Sequence, residues 1–150
     1  MTITTNEMTR FLLSLRRAVQ CITDAYATAK RGDIYVPRVR SSLILNIATA
    51  LVGDSGLPIV QVGIRPGEKI HEVLVAEDEV HRTVILDDYY VIKSILPEID
   101  AHAKNQPTLE REYTSAHNVM SLQETETILR DNDLMSSRVG SRRDLGELLQ

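Results

Sequence analysis

The run Gly63-Ile64-Arg65-Pro66-Gly67-Glu68-Lys69-Ile70-His71-Glu72 constrains the chain more than any other stretch, because ordinary hydrophobic patterning stops there. The apolar run Pro58–Val62 before it reads as a buried strand that ends at Gly63. Pro66 fixes its own φ and pushes Arg65 towards an extended backbone. Gly67 supplies permissive backbone ahead of an acidic first turn, which predicts a short helix opening at Glu68. The corner thus presents a guanidinium and a carboxylate at the end of a strand. Such a pair suits a ligand with one anionic group and nearby hydroxyls, such as a nucleotide diphosphate on a ribose. The plainer alternative is a strand–turn–helix corner whose Arg and Glu are solvated or paired with each other.

Residues 1–8 are short of hydrophobics and read as a lead-in. Leu15, Ala18, Val19, Ile22, Ala25, Tyr26 and Ala29 recur at three- and four-residue spacings, predicting a helix from Ser14 to Lys30, ended by Gly32. Asp33–Val36 reads as a short strand stopped by Pro37. Ser41 or Ser42 is placed to cap a second helix, carrying Leu43, Ile44, Ile47, Ala48, Leu51 and Val52 to Gly53. Glu77-Asp78-Glu79 reads as a solvated loop or helix start. Thr83–Leu86 and Tyr89–Ile92 flank Asp87-Asp88 as a hairpin. Residues 97–113 are polar and weakly patterned, so they are expected to wrap the surface. Ser121 and Glu124 form a capping box for a last helix through Leu122, Thr125, Ile128 and Leu129. Ser, Arg and Gly dominate residues 136–150, where Leu145, Leu148 and Leu149 make at most one marginal helical turn. The expected division is a domain of residues 1–135 and a frayed tail of 136–150.

At 150 residues the chain suits one domain that buries roughly two thirds of its unfolded surface. A net charge of −4 and the lack of a basic stripe argue against a nucleic-acid partner. No apolar run approaches a membrane span of roughly 18 residues, and no signal sequence follows Met1. The single cysteine, Cys21, cannot form an internal disulfide and reads as inert helix core, so a reducing cytoplasm is the expected compartment.

Several familiar chemistries are missing. The seven glycines form neither G-x-G-x-x-G nor a phosphate-binding G-x-x-x-x-G-K loop. His71-Glu72 begins like a zinc-protease helix, but Val75 stands where the second His is needed. His81, His102 and His117 are scattered and expected to be exposed. Two Y-x-x-x-K matches occur, Tyr26–Lys30 and Tyr89–Lys93. The first puts Tyr26 on the apolar stripe and Lys30 near a helix end that favours cations; the second lies on a strand. Neither reads as catalytic.

At Met8-Thr9-Arg10-Phe11, Gly32–Pro37, Gly63–Glu72 and Glu112-Tyr113-Thr114-Ser115 the chain resembles one family closely. It looks like the C-terminal part of the bacterial UDP-N-acetylglucosamine 4,6-dehydratases of capsule, lipopolysaccharide and flagellin-sugar biosynthesis, which are extended short-chain dehydrogenases. The resemblance covers roughly residues 3–130, and the run from Gly63 to Leu74 is its most specific part. It implies an α/β substrate-binding domain with three or four helices around small sheets and no complete Rossmann fold. It also implies substrate contacts from Arg10, Arg65 and Glu68, the arginines facing the diphosphate and uridine side and Glu68 the ribose hydroxyls.

Family members form oligomers and hold NADP or NAD in an N-terminal Rossmann domain together with a catalytic Tyr and Lys. Nothing in this chain corresponds to that domain, so no cofactor is expected in it and hydride abstraction has no acceptor here. The expected function is recognition of a UDP-sugar without catalysis by this chain alone. The alternative is a non-catalytic interaction module that docks onto a full-length dehydratase, a Rossmann-domain partner. The Leu15–Ala29 and Leu43–Val52 stripes are wide for surface helices, which predicts a homo-oligomer.

Overall fold

The computed structural model describes residues 1–96 and 107–135. As expected, the architecture is mixed α/β, with three helices and small sheets among the described residues. Helix α1 (Leu15–Thr28) is capped by Ser14, whose hydroxyl accepts from the Arg17 N–H. Strands β3 (Ile34–Pro37), β7 (Thr83–Leu86) and β8 (Tyr89–Ile92) form one antiparallel sheet in the order β3-β8-β7. The predicted hairpin is its β7–β8 pair. Leu86 faces Tyr89, so the loop is two residues long, and Asp87 takes a φ of +46°. Helix α3 (Leu122–Asp131) opens with both hydrogen bonds of the predicted Ser121–Glu124 capping box.

The lead-in is ordered structure. Strand β1 (Thr2–Ile3) pairs in parallel with β5 (Val60–Gln61), and Ile3 and Met8 are buried. Strand β5 itself is exposed, so the expected buried strand at Pro58–Val62 is an edge pair with β1. Ser41 and Ser42 do not cap a helix. They lie in β4 (Ser41–Leu43), the middle strand of a sheet with β2 (Thr9–Phe11) and β10 (Val119–Met120). Helix α2 (Ile44–Val52) begins only after Leu43, which makes no side-chain cap bond. Pairing on both sides satisfies the serine backbone, and burial then requires partners for the hydroxyls. Ser41 donates to the His117 carbonyl, and Ser42 shares a 2.7 Å bond with Thr125.

The core gathers Val36, Val75, Ile92 and Tyr113, with Phe11, Tyr90 and Leu109 packed around them. Tyr113 comes from β9 (Tyr113–Thr114), which pairs with β6 (Val73–Val75). Its hydroxyl bonds both backbone groups of Val39. Residues 107–109 do not simply wrap the surface: the Ile85 N–H donates to the Pro107 carbonyl and the Leu109 N–H to Thr83. Residues 110–112 of that wrap are exposed, as expected, while 97–106, with His102, lie outside the described residues, as does the expected tail at 136–150. His81 is exposed, whereas His117 is half-buried beside Thr114. Cys21 is partly exposed on a helix without a single buried residue, so it is not core.

Candidate functional site

Arg65, Pro66, Gly67 and Glu68 form one tight turn. The Glu68 N–H donates to the Arg65 carbonyl at 3.1 Å, Pro66 sits second and Gly67 third, at a φ of +83°. That is the chemistry of a type II turn, whose third position requires a positive φ and so favours glycine. The predicted helix at Glu68 does not form. Beyond the turn the backbone is recruited by other strands: the Ile70 carbonyl accepts from Thr9 N–H, and the Glu72 carbonyl from Ser115 N–H. These long-range pairs leave the segment extended, and local helix signals do not outweigh them.

Glu68 is held from two sides. Its Oε2 accepts from the Arg65 backbone N–H at 3.2 Å, and its Oε1 from the Thr4 hydroxyl at 3.1 Å. Thr4 stands in place because its carbonyl takes the Gly63 N–H, which extends the β1–β5 pairing. Thr2, Ile3, Thr4, Met8, Ile44 and Val62 then wall a cleft of about 290 Å³ that also contains Arg10, Arg65 and Glu68. The three residues singled out from sequence therefore meet in one place. The N-terminal wall was missed, although the β-branched run Thr2-Ile3-Thr4-Thr5 carries a strand signal.

The two arginines differ. Arg10 is half-buried, and Nη1 donates to the Thr9 and Ile70 carbonyls at 2.7 and 3.2 Å. Its Nη2 donates to the Lys69 carbonyl at 2.9 Å, and Nε lies 3.5 Å from Glu72. Of five N–H donors, one on Nη2 remains for anything else. Arg65 is exposed, and among the described residues its guanidinium has no hydrogen bond or ion pair. Behind the cleft, Thr9, His71 and Ser115 form a hydroxyl–imidazole network, with Thr9 Oγ1 at 2.8 Å from His71 Nδ1 and 2.7 Å from Ser115 Oγ. It ties β2, the 70–72 segment and β9 together. Among the described residues no group of His, Cys, Asp and Glu is arranged to hold a metal ion, and no helix is long and apolar enough to cross a membrane.

Comparison with known proteins adds a family. The family model described as polysaccharide biosynthesis protein matches residues 1–94. A UDP-N-acetylglucosamine 4,6-dehydratase (inverting) of Campylobacter jejuni is 35% identical over 98 residues, 65% of this chain and 29% of that protein. A UDP-glucose 4-epimerase of Rickettsia massiliae is 34% identical over 138 residues, 86% of this chain and 40% of that protein. Among solved structures, Pen from Bacillus thuringiensis superposes with a TM-score of 0.78 at 24% identity, covering 90% of this chain and 42% of that one. That likeness shows the fold alone. The chain thus spans 29% and 40% of the length of the two curated relatives.

Proposed function

Because the chain belongs to the polysaccharide biosynthesis protein family, we propose that its cleft recognises the nucleoside-diphosphate part of a UDP-sugar. The observation that carries this reading is the unengaged guanidinium of Arg65 at the mouth of a cleft that also holds an oriented carboxylate, Glu68. A planar guanidinium matches phosphate oxygens in a two-point fork. An ionised carboxylate that already accepts two bonds still has lone pairs for ribose hydroxyls. Arg10 acts in this reading mainly as the clamp that holds Lys69 and Ile70 against β2, with one Nη2 N–H left over for the same anion.

The chain's part is binding. Hydride chemistry on a nicotinamide calls for a glycine-rich dinucleotide loop, and the seven glycines here do not form one. Turnover would need a nicotinamide-bearing domain. The similarity to a dehydratase and an epimerase, both named for UDP-linked sugars, supports the ligand class and leaves the sugar open. Titration of the chain with UDP, UDP-N-acetylglucosamine and uridine, followed by amide NMR shifts, tests the reading. Expected are shifts at residues 2–4 and 65–68, with a Kd on the order of 0.1–1 mM for UDP and no saturation by uridine. Equal response to uridine, or none to UDP at millimolar concentration, overturns it.

A further inference from the structure

Glu72 ends the motif that opens at Gly63. Its backbone is fixed by one residue that follows β9: the Glu72 N–H donates to the Ser115 hydroxyl at 2.8 Å, and the Glu72 carbonyl accepts from the Ser115 N–H at 2.8 Å. Ser115 is fully buried and tied in turn to Thr9 of β2, which leaves Glu72 little room to shift. Its carboxylate lies 3.5 Å from Arg10 Nε. Nη1 and Nη2 of the same guanidinium are bound to the Thr9, Ile70 and Lys69 carbonyls, so Glu72 completes the set of partners that fixes the guanidinium plane. Glu72 does not itself line the cleft and bears on it only through Arg10. It changes the charge there. The charged lining residues are Arg10, Arg65 and Glu68, which leave one positive charge over, and the Glu72 carboxylate cancels it.

We propose that Glu72 is a positioning residue that makes the cleft select diphosphates closed at both ends by neutral groups, as in a UDP-sugar, over phosphates with a free end. This rests on the reading of the cleft as a nucleoside-diphosphate site. A diphosphate esterified at both ends carries one negative charge per phosphate, whereas a free terminal phosphate carries about half to one charge more at neutral pH. The guanidiniums suit the closed form: the Arg65 fork is open, and Arg10 has one Nη2 N–H left. The added charge of a free end finds no uncompensated cation and is repelled by two carboxylates. At about 8 Å, one such like-charge pair is worth roughly twofold in bulk water and over tenfold at the effective dielectric near a protein surface. Glu72 is partly exposed, which puts its effect between these limits. A neutral balance of this kind gives up affinity and gains discrimination, because the disfavoured ligand meets a repulsive element.

Titration of the full chain with UDP-N-acetylglucosamine, UDP and inorganic pyrophosphate, followed by amide NMR shifts at about 0.05 M salt, tests the proposal. Wild type should bind UDP-N-acetylglucosamine at least as tightly as UDP. Glu72→Gln keeps an oxygen for Arg10 Nε and removes the charge. It should move the ratio of the two affinities about three- to tenfold towards UDP and raise pyrophosphate affinity at least as much. Raising the salt to about 0.5 M should shrink that shift, since screening weakens it. Glu72→Asp keeps the charge and should keep the wild-type ratio, which separates charge from shape. A ratio unmoved by Glu72→Gln, a ratio moved equally by Glu72→Asp, or a pyrophosphate affinity that does not rise in Glu72→Gln would each overturn the proposal. Wild type that binds neither nucleotide, with the pyrophosphate gain still present in Glu72→Gln, would sink the nucleoside reading and support the charge role of Glu72.

Discussion

The Thr4 hydroxyl donates to Oε1 of Glu68 at 3.1 Å, joining the first strand of the chain to a turn 64 residues later. Through this bond an unremarkable N-terminal threonine sets the direction of the carboxylate that the sequence singles out. The cleft is therefore as much a property of β1 as of the Pro-Gly turn.

Replacing Thr4 with Val keeps the β-branched shape and removes the donor. Glu68 then loses one of its two anchors, and UDP affinity should fall about three- to tenfold, the net worth of an ordinary hydrogen bond. Thr4→Ser should recover most of it. Equal affinity in wild type and Thr4→Val would show that Glu68 needs no such orientation.

Arg65→Ala should weaken UDP binding by roughly 1.5–3 kcal/mol, about ten- to over a hundredfold, with only partial rescue by Lys because the planar fork is lost. Urea stability should change by less than about 0.5 kcal/mol, since the side chain is exposed. Unchanged UDP affinity would leave Arg65 as the solvated corner residue of the plainer reading.

Arg10 should behave oppositely. Arg10→Ala strips donors from the Thr9, Lys69 and Ile70 carbonyls and should cost about 1–3 kcal/mol in urea unfolding. Lys has no fork to reach all three and should recover little. A midpoint equal to wild type, with UDP binding lost, would make Arg10 a ligand residue and not a clamp.

Ser42 and Thr125 share a buried hydroxyl bond. Either Ser42→Ala or Thr125→Val should destabilise by about 1–2 kcal/mol, and the double variant by clearly less than the sum, because both single changes remove the same shared bond and leave the surviving hydroxyl only its backbone partner, Leu43 for Ser42 and Ser121 for Thr125. Additive losses in urea unfolding would mean that the two hydroxyls are not coupled.

Glu124 gives a pH signature. Its hydrogen bond from Arg40, then those from the Ser121 backbone and hydroxyl, lower its carboxyl from the usual 4.5 to about 2. The folded-state value lies below the unfolded one, so this stabilisation is present above about pH 4.5 and is lost as pH falls through about 2. The difference in melting temperature between wild type and Glu124→Gln should shrink over that window. A difference independent of pH would disconnect the cap from the carboxylate charge.

Local chemistry decided what the sequence determined by itself. The Ser121–Glu124 box, the Asp87-Asp88 hairpin loop, the span of α1 and the Pro66-Gly67 turn depend on residues a few positions apart, and each formed where the pattern puts it. Arg65 and Glu68 could be singled out for the same reason, because their residue types and the turn around them are local, whereas Arg10 came only from the resemblance of its Met8–Phe11 motif to a family.

Tertiary structure decided which faces are inside and what each side chain touches. Ser41 and Ser42 carry a good helix-cap signature but are drawn into a central strand, because β2 and β10 satisfy their backbone and Thr125 and the His117 carbonyl satisfy their hydroxyls. Residues after Glu68 carry helix signals but pair with Thr9 and Ser115 instead. The apolar stripe of α1 was legible, yet it points outward, because Asp88, Tyr89 and Tyr35 offer its polar side stronger partners. Periodicity specifies a stripe and not its direction, and burial is settled only by the surface that the rest of the chain presents to it.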